Sequence, residues 1–293
     1  MKRLISISLA LLLSALLFAI PMRTEHALAI RGGVGYHNLD NYLPETQAVG
    51  GGAVQLGLGY RLHERQNGFL LHTGMEIAYG MSLMTHMDIT EEQPMLDTES
   101  EPMTMIYDIT QIGENQHNLT AGIELLLGYQ SRKGLYFLMG PKVAYAFYNP
   151  VQTVSTVTAR GRYLNLIDDL VDMPDHYFGT TRNTGANVYP AMSKISLALE
   201  LGYTMHLSSW RLRARGEKTK DLQLALFAEY GFLFRTNNQS AATLVASYAD
   251  GAYRPEVNPF LWYNVNANRV ADLTCGIKLT YLFNWRPCFC RKK

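Results

Sequence analysis

The sequence predicts an all-β chain that folds as an eight-stranded antiparallel transmembrane up-and-down β-barrel with long extracellular loops. Apolar and polar residues alternate with period two along eight segments. Most of these segments approach the ~9–11 residues that a tilted strand needs to cross a bilayer. Short connections also alternate with long ones, as in membrane barrels. The alternative all-β architecture is a soluble β-sandwich or a lipocalin-like barrel.

The first four strands are predicted at residues 30–36, 53–62, 69–80 and 119–130. The first is short, and its polar face carries Arg31. The apolar faces of the next three contain Val54, Leu56, Leu58, Tyr60 and Leu62; Phe69, Leu71, Met75, Ile77 and Tyr79; and Leu119, Ala121, Ile123, Leu125, Leu127 and Tyr129. Their opposite faces are small or polar and carry Arg61, Glu76 and Glu124.

The last four strands are predicted at residues 135–147, 195–206, 222–235 and 273–285. Their apolar faces contain Leu135, Phe137, Met139, Val143, Tyr145 and Phe147; Ile195, Leu197, Leu199, Leu201 and Tyr203; Leu222, Leu224, Leu226, Tyr230, Phe232 and Phe234; and Leu273, Cys275, Ile277, Leu279, Tyr281 and Phe283. Each opposite face carries one central charge: Lys142, Glu200, Glu229 or Lys278.

The connections and the tyrosines favour the membrane interpretation. Short links at residues 63–67, 131–133 and 208–220 alternate with long ones at 81–117, 149–192 and 237–271. Alternation over residues 151–159 predicts that the fifth strand continues above the membrane. Tyrosine on the apolar face near strand ends is typical of the interfacial girdles of membrane barrels: Tyr60, Tyr79, Tyr129, Tyr145, Tyr203, Tyr230 and Tyr281.

The N-terminus is typical of a secretory signal peptide. Lys2 and Arg3 precede an uncharged apolar run over residues 4–20, and A-L-A at residues 27–29 is a cleavage pattern. Cleavage after Ala29 gives a division into a signal peptide (1–29), a barrel (30–285) and a C-terminal tail (286–293). Cleavage near Ala19 would leave a fuller first strand, and an uncleaved membrane anchor is the other alternative.

Composition excludes several classes of function. The net charge of +1 argues against nucleic acid as a partner, because phosphate binding needs a concentrated basic surface. The 3 cysteines, Cys275, Cys288 and Cys290, form no disulfide framework and have no further metal ligands nearby. We therefore expect no cofactor and no metal.

Charges inside apolar strands are costly unless they find partners. Glu76, Glu124, Lys142, Glu200, Glu229 and Lys278 share one level of the predicted lumen, with Arg31 and Arg61 lower. Because an eight-stranded barrel encloses only side chains, these residues are expected to form a hydrogen-bonded network across it. Four Glu against two Lys also requires Arg31, Arg61 or Arg235 for balance, or one protonated Glu. The network is either a static plug or the gate of a narrow pore.

The last strand contains a recognisable signal. T-C-G-I-K-L-T-Y at residues 274–281 is similar to the polar-x-Gly-x-x-hydrophobic-x-hydrophobic pattern by which outer-membrane barrels are recognised for assembly. Together with the strand pattern over residues 28–285, the chain resembles the small OmpA/OmpX-like outer-membrane β-barrels common in Bacteroidota. The resemblance implies a bacterial outer-membrane location, contact with outer-membrane lipid and lipopolysaccharide, and recognition by the barrel-assembly machinery.

The leading functional prediction is a non-enzymatic envelope-structural or surface-interaction role through the long loops. Loop aromatics would suit a protein or glycan ligand, or would pack the loops together: Tyr177, Phe178, Tyr248, Tyr253, Phe260, Trp262 and Tyr263. No histidine lies in a recognisable catalytic pattern, so we predict no catalytic residues. The alternatives are a narrow gated channel or porin for small solutes or ions, and a lipid-modifying enzyme of the outer membrane.

Overall fold

The computed structural model describes residues 24–40, 46–64, 66–86, 88–96, 100–164, 169–170, 178–207, 219–235, 245–246, 256–257 and 269–285. These residues contain twelve strands: β1 (Thr24–Asp40), β2 (Thr46–Glu64), β3 (Phe69–His86), β4 (Ile89–Leu96), β5 (Pro102–Gln130), β6 (Leu135–Tyr163), β7 (Gly179–Tyr189), β8 (Met192–His206), β9 (Thr219–Arg235), β10 (Val245–Ala246), β11 (Glu256–Val257) and β12 (Arg269–Trp285). Within the same residues, no helix is long and apolar enough to cross a membrane.

Eight of these strands pair antiparallel in an unbroken ring, in the order β1, β2, β3, β5, β6, β8, β9 and β12, with β12 returning to β1. Following Cα partners around the ring leads from Ile30 through Leu58, Met75, Ile123, Val143, Ile195, Phe232 and Ala271 to Asp40, ten residues further along β1. A stagger of this kind accompanies closed sheets whose strands tilt by roughly 35–45°. The ring therefore encloses a lumen.

Tight turns mark one end of the ring, which we name the turn end. The β2–β3 and β5–β6 connections each finish with a glycine at positive φ, Gly68 at 76° and Gly134 at 97°. An L side chain rarely adopts that conformation, so glycine is favoured at both places. We name the opposite end the loop end.

Two ring strands, β5 and β6, continue beyond the others at the loop end, where β4 and β7 pair with them. β4 pairs with β5 in the same register as β3, since His86 faces Ile112 and Ile89 faces Ile109. β7 likewise continues the register of β8 along β6. The upper halves of β5 and β6, flanked by β4 and β7, thus form an extension that we name the upper sheet.

The all-β antiparallel prediction is confirmed. The sequence predicted eight strands, whereas the described residues hold twelve. The strands missed are β4, β7, β10 and β11, and β5 and β6 are also longer than predicted, although the continuation of β6 over residues 151–159 was expected. Part of the region taken as the first long loop alternates in the opposite sense, since Met103, Met105, Tyr107 and Ile109 of β5 are inward and buried.

The N-terminal prediction falls mainly outside the described residues, which begin at Thr24. Ala27–Ala29 of the predicted cleavage pattern lie within β1, paired with both β2 and β12. Cleavage after Ala29 would remove six residues from this strand. The tail at 286–293 is also outside the described part of the chain.

Polarity inverts between the two parts of the molecule. In the ring, outward side chains are apolar and exposed, with Met75 66% and Ile123 63% accessible, and inward side chains such as Glu124 are polar and buried. In the upper sheet, inward residues such as Met105 and Val157 are apolar and buried. The change on β6 follows Tyr148, and the adjoining register shift on β5 lies between Leu119 and Thr120.

Candidate functional site in the lumen

The structure buries all eight charged residues that the sequence assigned to the lumen. Their relative exposures lie between 2% and 5%: Arg31, Arg61, Glu76, Glu124, Lys142, Glu200, Glu229 and Lys278. Each lies on an inward face because its strand alternates with period two and its apolar neighbours point outward. Seven of the eight belong to one connected set, and Arg61 lies apart from it.

The connected set is an alternating chain of anions and cations, which we name the ion-pair ladder. Its members, in order of contact, are Glu124, Arg31, Glu200, Lys278, Glu76, Lys142, Glu229, Lys194 and Asp272. Every cation in the ladder contacts two carboxylates. Every carboxylate except the two at the ends contacts two cations.

Two lysines link the centre of the ladder. Lys142 Nζ lies 2.5 Å from Glu76 Oε1 and 2.7 Å from Glu229 Oε2. Lys278 Nζ lies 2.8 Å from Glu200 Oε1 and 3.7 Å from Glu76 Oε2. These contacts cross the lumen, because Lys142 on β6 reaches β3 and β9 although its sheet neighbours are β5 and β8.

The ladder extends further than the sequence predicted. Lys194 Nζ lies 2.8 Å from Glu229 Oε1 and 2.9 Å from Asp272 Oδ1, and neither Lys194 nor Asp272 was predicted as a lumen residue. The period-two alternation in the sequence could have predicted both residues. Lys194 precedes inward Ser196 by two residues, and Asp272 precedes inward Thr274 by two, so one more step along each strand would have found them.

Buried histidines lie at both ends of the ladder. His72 Nε2 is 3.2 Å from Glu124 Oε1 and 2.8 Å from Arg31 Nη1. At the other end, His37 Nδ1 is 3.0 Å from Thr274 Oγ1, whose hydroxyl lies 3.3 Å from Asp272 Oδ1. Each end of the ladder therefore finishes at a buried histidine.

Apolar clusters lie above and below the ladder. The upper plug is at the loop end, where Met192 and Val270 each lie two residues beyond a ladder residue; its members are Leu39, Ala146, Val151, Tyr189, Met192, Leu233 and Val270. The lower plug consists of Leu70, Leu126, Tyr136, Leu138, Ala198 and Ala225. Inward leucines were not predicted, although runs such as L-L-L at 125–127 place apolar residues on both faces of a strand.

The charges of the ladder balance once Arg61 is counted with it. The ladder holds five carboxylates (Glu76, Glu124, Glu200, Glu229, Asp272) and four cations (Arg31, Lys142, Lys194, Lys278). Arg61 supplies the fifth positive charge, yet no carboxylate of the described residues lies within ion-pair distance of it. Its Nη1 donates instead to Gln223 Oε1, and its Cζ lies 5.2 Å from the centroid of the Tyr136 ring.

The upper sheet encloses a methionine-rich core. Its buried members are Met84, Met103, Met105, Tyr107, Ile109, Ile112, Val157, Ala159 and Val257. Phe178, one of the predicted loop aromatics, packs against this core. The other six loop aromatics lie outside the described residues.

Ion pairs lie on the outer face of the upper sheet. Arg160 and Arg162 both bind Asp169, with Nη1 and Nε at 2.6 and 2.8 Å. The hydrogen bond from Arg162 lowers the pKa of the Asp169 carboxyl. Asp169 adjoins Leu170, which forms a β-bridge with Gly161, so the pairs fasten the returning chain to β6.

The described residues contain no group of three or more His, Cys, Asp and Glu side chains placed to hold a metal ion. The charged residues of the ladder neutralise one another. Their ion pairs connect seven of the eight ring strands.

No protein-family model matches the chain, and no curated protein matches it. Among solved structures, the outer membrane protease OmpT from Escherichia coli aligns with 90% of this chain and 97% of its own length. The sequence identity is 9% and the TM-score is 0.25. A likeness of this size supports no conclusion about the activity of the chain.

Proposed function

We propose that the ring is an eight-stranded transmembrane β-barrel of the bacterial outer membrane, with a closed lumen and a non-enzymatic role at the cell surface. The observation that carries the proposal is the inversion of polarity between the ring and the upper sheet.

The outer face of the ring is an apolar belt that no described part of the chain covers. Exposed members lie on all eight ring strands, among them Val34, Leu56, Met75, Ile123, Val143, Leu197, Leu226 and Ile277. Soluble monomers rarely expose more than a few hundred Å² of contiguous apolar surface. A belt around a whole closed sheet suits lipid.

Tyrosines border the belt at both ends. Strands that run toward the turn end carry an outward tyrosine near that end: Tyr60, Tyr129, Tyr203 and Tyr281. Strands that run toward the loop end carry one near the opposite border: Tyr36, Tyr79, Tyr145 and Tyr230. Two such girdles fit the two headgroup regions of a bilayer.

The lumen supports a closed rather than a conducting barrel. The ladder fills the middle, and the upper and lower plugs close it toward either end. A salt bridge that switches partners could open a narrow path only if Leu39, Met192 and Leu233 also moved aside. The static plug is therefore the alternative that we favour over a gate.

The upper sheet is the part that would face outward from the cell. Its strands carry mainly polar outward residues, such as Thr90, Glu92 and Arg162. We infer that this end performs the surface-interaction or envelope-structural role, toward lipopolysaccharide or a protein or glycan ligand. Strand β12, which pairs with both β1 and β9, would be the segment that the barrel-assembly machinery recognises.

Gel mobility and membrane fractionation test the barrel. The protein should sediment with outer membranes and migrate differently before and after heating in detergent. Recovery in the soluble periplasm with no heat-dependent shift would contradict the proposal.

Planar-bilayer recording tests the closed lumen. The purified barrel should show no steady ion current, and a steady current would favour the channel alternative. Mass spectrometry of lipid A, with and without expression of the protein, tests the enzymatic alternative. A new lipid A species would contradict the non-enzymatic role.

A further inference from the structure

The first six residues of β1 complete the ring at its turn end. Residues 24–29 pair with residues 59–64 of β2, and residues 26–29 pair with residues 282–285 of β12. In this part of the ring β1 is the strand that joins β2 to β12. A chain that began at Ile30 would leave both stretches without their β1 partners.

The side chains of this segment alternate as those of the other ring strands do. Ala27 and Ala29 point inward, are 3% and 0% exposed, and form a buried cluster with Leu282 of β12. Leu28 lies between them, points outward and belongs to the apolar belt. The segment therefore contributes to the lumen on one face and to the belt on the other.

Polar contacts also attach the segment to β2. Glu25 Oε2 lies 3.8 Å from His63 Nδ1, and His26 Nδ1 is hydrogen-bonded to the Tyr60 hydroxyl. Thr24 Oγ1 lies 3.3 Å from the other ring nitrogen of His26. These contacts begin at the first described residue of β1, so the folded ring includes the strand from Thr24 onward.

The A-L-A pattern at residues 27–29 thus has two explanations. Signal peptidases cut after small side chains that are spaced in this way. A ring strand also gives the spacing small-x-small wherever two successive inward residues are small, because inward residues recur every second position. Since Ala27 and Ala29 are both packed against Leu282, the second explanation accounts for the pattern without a cut.

A cleavage position that preserves β1 must precede Thr24, and Ala19 is the last small residue before it. Ala19 directly follows the uncharged residues 4–18, which fit the roughly 7–15 apolar residues of a signal peptide. Leu17 stands where a full A-x-A pattern has alanine. The choice of Ala19 therefore rests on where β1 starts and where the apolar run ends.

Loss of residues 24–29 would open the closed sheet at the border of the belt. Leu28 pairs with Tyr60 and Ile30 pairs with Tyr281, and both tyrosines belong to the girdle at the turn end. Backbone N–H and C=O groups that face lipid without a partner are costly, because no water replaces the lost hydrogen bonds. Cleavage after residue 29 would therefore damage the barrel where it enters the membrane.

We propose that the chain is processed by hydrolysis of the peptide bond between Ala19 and Ile20, so that the exported protein keeps the whole of β1. Water supplies the hydroxyl group of the new Ala19 carboxyl and a proton of the new Ile20 amine. The enzyme is of the signal peptidase class. The proposal rests on the export that the proposed function requires, and it replaces the cleavage after Ala29 that the sequence pattern predicts.

The test is intact-mass measurement and N-terminal sequencing after expression of the full chain in a Gram-negative host. The N-terminus is read on the protein from every cell fraction, so that location and processing are scored separately. We expect an N-terminus at Ile20. An N-terminus at Ile30 or an intact Met1 would overturn the proposal, whereas recovery outside the outer membrane would contradict the proposed function instead.

The same substitution at the two candidate positions provides a matched pair. Ala19→Val replaces the small residue before the proposed cut, and pulse labelling should show that most of the chain stays as precursor. Ala29→Val should be processed as fast as the unchanged chain. Normal processing of Ala19→Val, or slowed processing of Ala29→Val alone, would overturn the proposal.

Hydrogen exchange in the purified protein tests the start of β1 without any variant. Peptic fragments that cover residues 24–29 should be present, and their amides should be protected as those of residues 30–36 are. Absence of these residues, or complete exchange within them, would also overturn the proposal.

Discussion

The ring and the upper sheet share the strands β5 and β6, yet they are built in opposite senses. On β6, outward Val143 of the ring is 51% exposed and inward Lys142 is buried, whereas further along the same strand inward Val157 is fully buried. The backbone geometry is the same in both halves. Period two therefore fixes only which residues share a face, and the same strand carries its apolar residues outward in the ring and inward in the upper sheet.

The cores of the two regions follow from this difference. The ring has apolar residues on its outer face, so its interior is left to polar residues that neutralise one another. The upper sheet has polar residues outside and packs methionine, isoleucine and valine inside. The ring should therefore lose stability when an inward charge is removed. The upper sheet should lose stability when an inward apolar side chain is made smaller.

Lys142→Met should produce the largest loss of stability. Among the described cations, it leaves Glu76 with Lys278 at 3.7 Å and Glu229 with Lys194, beside the Ser196 hydroxyl that donates to Glu229. Breaking a buried pair by removing one partner typically costs about 3–5 kcal/mol. The free energy of unfolding would be measured by urea titration in phospholipid vesicles, followed by gel mobility without heating.

Lys133→Met is the matched control, because Lys133 is exposed in the β5–β6 turn. It should change stability by less than about 0.5 kcal/mol. Lys278→Met should cost less than Lys142→Met, since one of its two contacts is longer. Equal stabilities for Lys142→Met and the control would show that the ladder does not hold the ring together.

Met105→Ala should break the upper sheet and leave the ring intact. Met105 is 1% exposed, and truncating a buried methionine costs about 2–5 kcal/mol. Limited proteolysis should cut the variant faster within residues 89–96 and 102–112, while its heat-dependent gel shift stays normal. Met75→Ala, at an exposed methionine of the ring, is the control. Loss of the gel shift in Met105→Ala would mean that the two regions unfold together.

Two valines on one face of β6 allow the ring and the upper sheet to be compared directly. Val143 and Val154 both point outward, one in the ring and the other in the upper sheet, and they are 51% and 39% exposed. Lysine near the bilayer midplane costs roughly 2–4 kcal/mol, so Val143→Lys should destabilise the protein in vesicles. Val154→Lys should be close to neutral. If neither variant is destabilised, the outer face of the ring does not contact lipid.

Much of the ring could be predicted from the sequence because its strands alternate cleanly. A charge inside an apolar run, such as Glu200, indicates which face of the strand points inward. The upper sheet was harder to predict, because residues 102–112 alternate with the opposite polarity and the preceding residues 91–101 include five acidic residues. They were therefore interpreted as loops.

The ladder could be predicted only in part. Its charged residues follow from alternation, but their partners do not, because pairs across the lumen depend on the ten-residue stagger of the closed sheet. Glu124 and Lys142 face each other as sheet neighbours, yet Lys142 binds Glu76 and Glu229. Arg61 was placed with the network for its charge alone, and only the structure separates it.

The smallest expected effect concerns the ion pairs outside the upper sheet. The hydrogen bond from Arg162 holds the pKa of Asp169 below its ordinary value of 3.8. A carboxyl whose pKa is lower in the folded state stabilises that state above the ordinary value, and this contribution is lost as the pH falls through the lowered pKa. The β-bridge between Gly161 and Leu170 should therefore loosen only in acid.

Asp169→Asn should loosen the same bridge at neutral pH and remove its acid dependence. Hydrogen exchange at the amides of Gly161 and Leu170, expressed as protection factors, would measure both effects. Glu92→Gln is the control, because Glu92 meets Arg162 at 3.3 Å with about half of each side chain exposed. If acid-dependent protection persists in Asp169→Asn, the group that titrates is another residue of the upper sheet.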